Sequence, residues 1–210
     1  MINILIVDDH AVVRAGLRRI ISGISDMAVV DEAGSGIEAL KKIKENEYSI
    51  VVLDISMPDL SGLDVLKVIS EERPGLPVLI LSMYPEDQYA VRALRAGALG
   101  YMTKECAPEE LVMAIRTVAA GKKYIKSDFA EKLALNRYYD MEKEPHEILT
   151  DREYQILCTI ASGKTVSEIA VHFSRSVKTI STYRSRILKK MHLKNNAELT
   201  RYAIRRHLTD

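Results

Sequence analysis

Five short, unbroken apolar runs are spaced along the first 121 residues: 4–7 (ILIV), 28–30 (AVV), 50–53 (IVVL), 78–81 (VLIL) and 100–102 (GYM). Segments with helical periodicity separate them, such as 12–21 and 91–96. Alternating apolar and polar residues would mark strands with one wet face. Continuous runs mark strands buried on both faces. Five such strands interleaved with helices restrict this part of the chain to a doubly wound α/β domain around a parallel sheet.

The pattern breaks after Gly121. "SDFAEKLALNRYY" (127–139) predicts a helix, and the charged, proline-containing "DMEKEPHE" predicts a linker. From residue 149 on, every segment predicts helix. "TDRE" (150–153) and "TVSE" (165–168) each read as a capping box. The first opens a helix that closes near Gly163. A third helix is expected over 177–191 and a fourth over 196–207. The chain therefore divides into 1–121, a connecting segment 122–148 and a small all-α part 149–210.

Charge follows the same division. Residues 1–121 hold 12 Lys+Arg against 18 Asp+Glu, a net of −6. Residues 149–210 hold 12 against 5, a net of +7. An acidic half joined to a basic half suggests two tasks, the basic one directed at nucleic acid. Two cysteines, Cys106 and Cys158, are too few and too far apart for a disulfide framework or a metal cluster. No run approaches the ~20 apolar residues of a membrane span. The first residues carry no basic segment or cleavage site, so no signal peptide and no membrane partner are expected, and the cytoplasm is the default compartment.

In an open parallel sheet, ligands bind beyond the carboxyl ends of the strands, where strand order reverses. Strand one ends in Asp8 and Asp9, strand three in Asp54, strand four in Ser82 and strand five in Lys104. Taken singly, the aspartates and Ser82 read as turn or capping residues, and Lys104 as a solvated charge. Taken together, three carboxylates on one edge need a cation, and Mg²⁺ suits oxygen donors. A carboxylate can attack phosphorus, and an ammonium and a hydroxyl can stabilise the transferring group.

With these residues in place, 1–121 resembles a response-regulator receiver domain, flavodoxin-like in fold. Residues 149–210 resemble the helix-turn-helix domain of the NarL/FixJ (LuxR-type) regulators. The resemblance implies a phosphorylation-dependent transcription regulator rather than an enzyme. It makes Asp54 the phosphoacceptor. Asp8, Asp9, Asp54 and the backbone carbonyl of Ser56 would hold Mg²⁺, and Ser82 and Lys104 would bind the phosphoryl group. Tyr101 would be the aromatic switch residue that turns inward as Ser82 moves; taken alone it reads as a half-buried strand aromatic. The implied partners are a sensor histidine kinase, double-stranded promoter DNA, RNA polymerase, and a second copy of the chain when phosphorylated or DNA-bound. One departure stands out: the family pattern has proline after the lysine, often through a cis bond, and here Glu105 follows Lys104. Either strain is stored there or the loop differs.

Two motifs are decoys. "GSGIEA" (34–39) fits a dinucleotide fingerprint, yet with strand order 2-1-3-4-5 its loop lies at the sheet edge, away from the switch point. "GKT" (163–165) follows a helix and lacks the first glycine of a phosphate loop.

The helix at 177–191 has an apolar stripe of Val177, Ile180, Ile187, Leu188 and Met191. Lys178, Thr182, Ser185 and Lys189 lie opposite, with Ser181 at the margin. This layout fits a recognition helix. Arg184 falls within the stripe and snorkels, pairs with Glu168 of the preceding helix, or is simply solvated. Leu199, Tyr202 and Ala203 on the last helix read equally as a dimer face or as core. Two rivals remain at this level. An aspartate-nucleophile phosphatase would need a D-x-D pair on strand one, where this chain has D-D. A receiver with a protein-binding tail would show no salt-dependent affinity for random duplex DNA.

Overall fold

The structure is a computed structural model that describes residues 1–126, 129, 144–206 and 208–209. It divides into two compact units, 1–130 and 131–210.

In the first unit, β1 (Ile2–Val7), β2 (Met27–Ala33), β3 (Ile50–Leu53), β4 (Val78–Ser82) and β5 (Gly100–Thr103) form one parallel sheet in the order β2-β1-β3-β4-β5. Five helices alternate with them: α1 (Ala11–Ser22), α2 (Gly36–Glu45), α3 (Gly62–Glu72), α4 (Glu86–Arg95) and α5 (Pro108–Ala119). Ile4, Ile6, Ile50, Val52, Leu79, Leu81 and Met102 face one side of the sheet and pack against α1 and α5. The intervening Leu5, Val7, Val51, Leu53 and Ile80 point to the other side, as the two-residue period of a strand requires.

β2 departs from the expected 28–30. It is longer and runs on through Asp31 and Glu32 to Ala33. As an edge strand it is buried on fewer sides, so polar residues are tolerated. The pairing with β1 skips Val30, which is 49% exposed. Lys42 Nζ and Tyr48 Oη bind the carboxylate of Asp31, and Arg14 and Arg18 pair with Glu32.

The segment expected as linker is anchored at both described ends. Tyr124 N donates to Leu99 O at 2.8 Å, and Tyr124 makes an isolated parallel bridge with Gly100, continuing the sheet past β5. Lys126 pairs with Glu110 at 3.2 Å. Further on, Pro145–Ile148 forms one 3-10 turn, and His146 Nδ1 lies 2.9 Å from Tyr202 Oη. The helix expected over 127–139 falls, Phe129 apart, outside the described residues.

The second unit contains α6 (Asp151–Ala161), α7 (Val166–His172), α8 (Val177–Lys190) and α9 (Asn196–Arg205). Both capping boxes form: Thr150 with Glu153, and Thr165 with Glu168. α6 packs on α8 and α9, and α7 packs on α8. Ile156, Leu157, Ile169, Ile180, Ile187, Leu199 and Ala203 are wholly buried. Leu199 and Ala203 are thus core residues rather than a dimer face. Between α7 and α8 the chain reverses through Ser174 in the left-handed region, φ 50°, and Ser176 then caps α8 by accepting from Thr179 N.

Candidate acidic site and nucleic-acid interface

The sheet register builds the acidic edge. Asp54 N donates to Val7 O, and Lys104 N donates to Ser82 O, both at 2.8 Å. These bonds bring the ends of β1, β3, β4 and β5 level. Asp8 and Asp54 are each only 2% exposed. Lys104 Nζ lies 2.6 Å from Asp8 Oδ2 and 2.9 Å from Asp54 Oδ2, so one buried ammonium joins two strand ends. There is no cis peptide bond among the described residues, so the Lys104–Glu105 loop reaches the site through a trans bond.

Burial pushes the Asp54 carboxyl up to about 6. The Lys104 ammonium works against that rise and the nearby Asp8 carboxylate adds to it. Burial disfavours the Lys104 ammonium, but Asp54 and Asp8 more than reverse this, so Lys104 holds its proton more tightly than a free lysine.

Ser82 is fully buried at the end of β4, and its Oγ accepts from Tyr84 N at 3.2 Å. Tyr101 is turned inward and donates to Tyr84 O at 2.8 Å; burial raises its phenol. Ser56 is half-buried in the loop after Asp54. That loop is held on two sides. Gly62 passes so close to Asp54 that an added Cβ would collide with the Asp54 carbonyl oxygen. Asp59 accepts from Gly36 N at 3.1 Å and from Ile37 N at 3.0 Å. The N-terminus of α2, where a dinucleotide would place its phosphates, is filled by the protein's own carboxylate. This is a physical reason for "GSGIEA" being a decoy.

The donor set fits a divalent cation. Asp8, Asp9, His10 and Asp54 each offer a ligand atom, and these lie within 4.8 Å of one another. Asp54 Oδ1 is buried without a hydrogen-bond partner, while Asp9 Oδ1 makes no hydrogen bond but lies 2.8 Å from His10 Nδ1. Three residues beyond those read from sequence shape this edge: Asp59, His10, and Arg14, whose Nη1 donates to Asp8 O at 2.6 Å. His10 was visible as the neighbour of the acid pair. Asp59 and Arg14 act across elements, and their spacing carries no signal.

On α8, Lys178, Ser181, Thr182, Ser185 and Lys189 are all exposed. Thr182 Oγ1 donates to Lys178 O and Ser185 Oγ to Ser181 O, at 2.9 and 3.0 Å. One expectation fails, and for Arg184 the pairing with Glu168 is replaced by another. Val177 is 51% exposed, because it sits at the helix N-terminus beyond the reach of the core. Arg184 Nε donates to Asn196 Oδ1 on α9, while Glu168 Oε2 accepts from Thr165 N and Oγ1. Arg186 is also exposed and, at 100° per residue, lies only about 40° from Thr182, on the same face.

A receiver-type sheet with a carboxylate–lysine edge, joined to a helix-turn-helix unit, defines a two-component response regulator. Comparisons with known proteins agree. The chain matches the response regulator receiver domain over residues 4–116 and the luxR family of bacterial regulatory proteins over residues 147–203. It is 39% identical to the response regulator UvrY of Escherichia coli over 209 residues, covering 99% of this chain and 96% of that one. It is 36% identical to the response regulator GacA of Pseudomonas aeruginosa over 211 residues, covering 100% and 99%. Among solved structures it resembles RcsB from Salmonella enterica serovar Typhimurium bound to promoter rprA in the presence of phosphomimetic BeF3⁻. That match has 26% identity and a TM-score of 0.64, and covers 96% of this chain and 98% of that one. The chain belongs to the NarL/FixJ family of response regulators, which are DNA-binding transcription regulators and not enzymes. No described helix is long and apolar enough to cross a membrane.

Proposed function

We propose that this chain accepts a phosphoryl group on Asp54 from a sensor histidine kinase and, so modified, binds double-stranded promoter DNA through α8. The observation that carries this reading is the Lys104 ammonium bridging Asp8 and Asp54 on the sheet edge, beside the unpartnered Asp54 Oδ1. An Asp54 carboxylate oxygen attacks phosphorus, and the bond from phosphorus to the donor's imidazole nitrogen breaks. Lys104 offers positive charge and Ser82 a hydroxyl donor to the phosphoryl oxygens. Asp8, Asp9, Asp54 and the Ser56 carbonyl would hold Mg²⁺, which neutralises charge on the transferring group. Tyr101 reports the state of Ser82 through the Tyr84 loop.

In this reading 1–121 is the phosphoacceptor domain, 122–148 the connector and 149–210 the DNA-binding domain. The protein works in the cytoplasm, pairs with a second copy when phosphorylated or DNA-bound, and acts on RNA polymerase. The test treats the full chain with Mg²⁺ and acetyl phosphate. The wild type should gain a hydroxylamine-labile phosphoryl group and bind promoter DNA more tightly. Asp54→Asn should do neither. Full labelling of that variant would place the acceptor elsewhere.

A further inference from the structure

His10 follows the acid pair and begins α1 without capping it through its side chain. The side chain is 64% exposed, yet Nδ1 is turned onto the carboxylates, 2.8 Å from Asp9 Oδ1 and 3.3 Å from Asp8 Oδ1. Ligand atoms at right angles around a small divalent ion, each ~2.1 Å from it, stand about 3.0 Å apart. The two distances at His10 bracket that value. The carboxylates also present their oxygens in two sets. Lys104 engages Asp8 Oδ2 and Asp54 Oδ2. The Oδ1 atoms of Asp8 and Asp9 face His10, and Asp54 Oδ1, on a side chain 2% exposed, has no partner. One set is engaged by the protein's own cation; in the other, Asp8 Oδ1 accepts from His10 N at 2.8 Å and Asp54 Oδ1 is left open to an added one.

We infer that His10 is a fifth protein ligand of the acidic site, beside Asp8, Asp9, Asp54 and the Ser56 carbonyl, and that its nitrogen makes the site take later first-row divalent ions in preference to Mg²⁺. The inference rests on the acidic-site reading under Proposed function. Mg²⁺ is an oxygen-seeking ion and gains little from imidazole, whereas affinity for mixed nitrogen and oxygen sites rises from Mn²⁺ through Co²⁺ to Ni²⁺. Coordination uses the Nδ1 lone pair of neutral imidazole, with the ring proton on Nε2. With Mg²⁺ the ring stays outside the coordination shell. Co²⁺ or Mn²⁺ would be held by His10 Nδ1 beside the carboxylates.

The test uses the full chain, wild type and His10→Ala, a change at an exposed residue that leaves the core intact. Pulsed electron paramagnetic resonance of the Mn²⁺-loaded wild type should show coupling to a ligating imidazole nitrogen, and His10→Ala should lose it. Calorimetric titration should show Co²⁺ affinity falling about tenfold or more in His10→Ala, with Mg²⁺ affinity changed less than about twofold. Absence of nitrogen coupling in the Mn²⁺-loaded wild type, or its persistence in the variant, overturns the assignment. So does a parallel loss of Mg²⁺ and Co²⁺ affinity. A wild type that binds neither ion overturns the acidic-site reading itself, a separate outcome.

Discussion

Asp54, the proposed acceptor, is the residue on which burial and charge pull hardest against each other. Its carboxyl titrates near 6 in the folded chain, against 3.8 for an ordinary aspartate, because burial disfavours the charge. A group whose pKa is raised by folding favours the folded state at low pH and loses that contribution as pH climbs through the raised value. Ionised Asp54 therefore costs stability at neutral pH when no metal is bound. In metal-free protein, Asp54→Asn should be more stable than wild type by on the order of 1–3 kcal/mol at pH 8, the gain fading toward pH 4. Denaturant titrations with chelator at both pH values decide it. An equal difference at the two would mean that the charge on Asp54 is fully compensated. Removing Lys104, which works against the rise, should push the Asp54 midpoint higher still, as carboxyl-carbon NMR would show.

At the scale of elements, the strands were legible because their apolar runs are continuous, and the helix starts because Thr150 and Thr165 have Glu three residues on. What failed has a common physical cause. The polar end of β2, the exposure of Val177 and the Arg184–Asn196 contact depend on what lies beside an element, not on its own periodicity. The acid edge was readable, since every member sits at the carboxyl end of a strand. The Asp59 staple was not, because it acts between two loops far apart in sequence. On α8 the outward side chains should divide their labour. Lys189→Ala should weaken binding about equally on operator and random duplexes and reduce the salt slope by about one ion. Thr182→Ala should cost on the order of 1 kcal/mol or more on the operator and little on random DNA. Affinities on both duplexes over a salt series test this. The same loss on each would remove Thr182 from sequence reading. In the free protein its hydroxyl hydrogen is already given to Lys178 O, leaving the oxygen lone pairs and the methyl group to face a base.

For the whole molecule, two compact units of opposite charge are proposed to take different ligands, and ligand linkage should separate them. An ion that binds only the folded first unit stabilises that unit alone, by about 2.7 kcal/mol at one hundred times its dissociation constant. Calorimetry should resolve two transitions, with Mg²⁺ raising one and leaving the other in place. A common upward shift of both would mean that the units unfold as one. The Tyr124 bridge has its own consequence for how the chain can be divided. A parallel sheet that stops at β5 leaves a bare row of amides and carbonyls, a template on which another chain can polymerise. Tyr124 acts as a selvedge at the start of this border, where it pairs with Leu99 and Gly100. A fragment cut at 121 should self-associate in sedimentation runs where one cut at 126 stays monodisperse, and identical behaviour of the two would assign the guarding of that border to α4 and α5 alone.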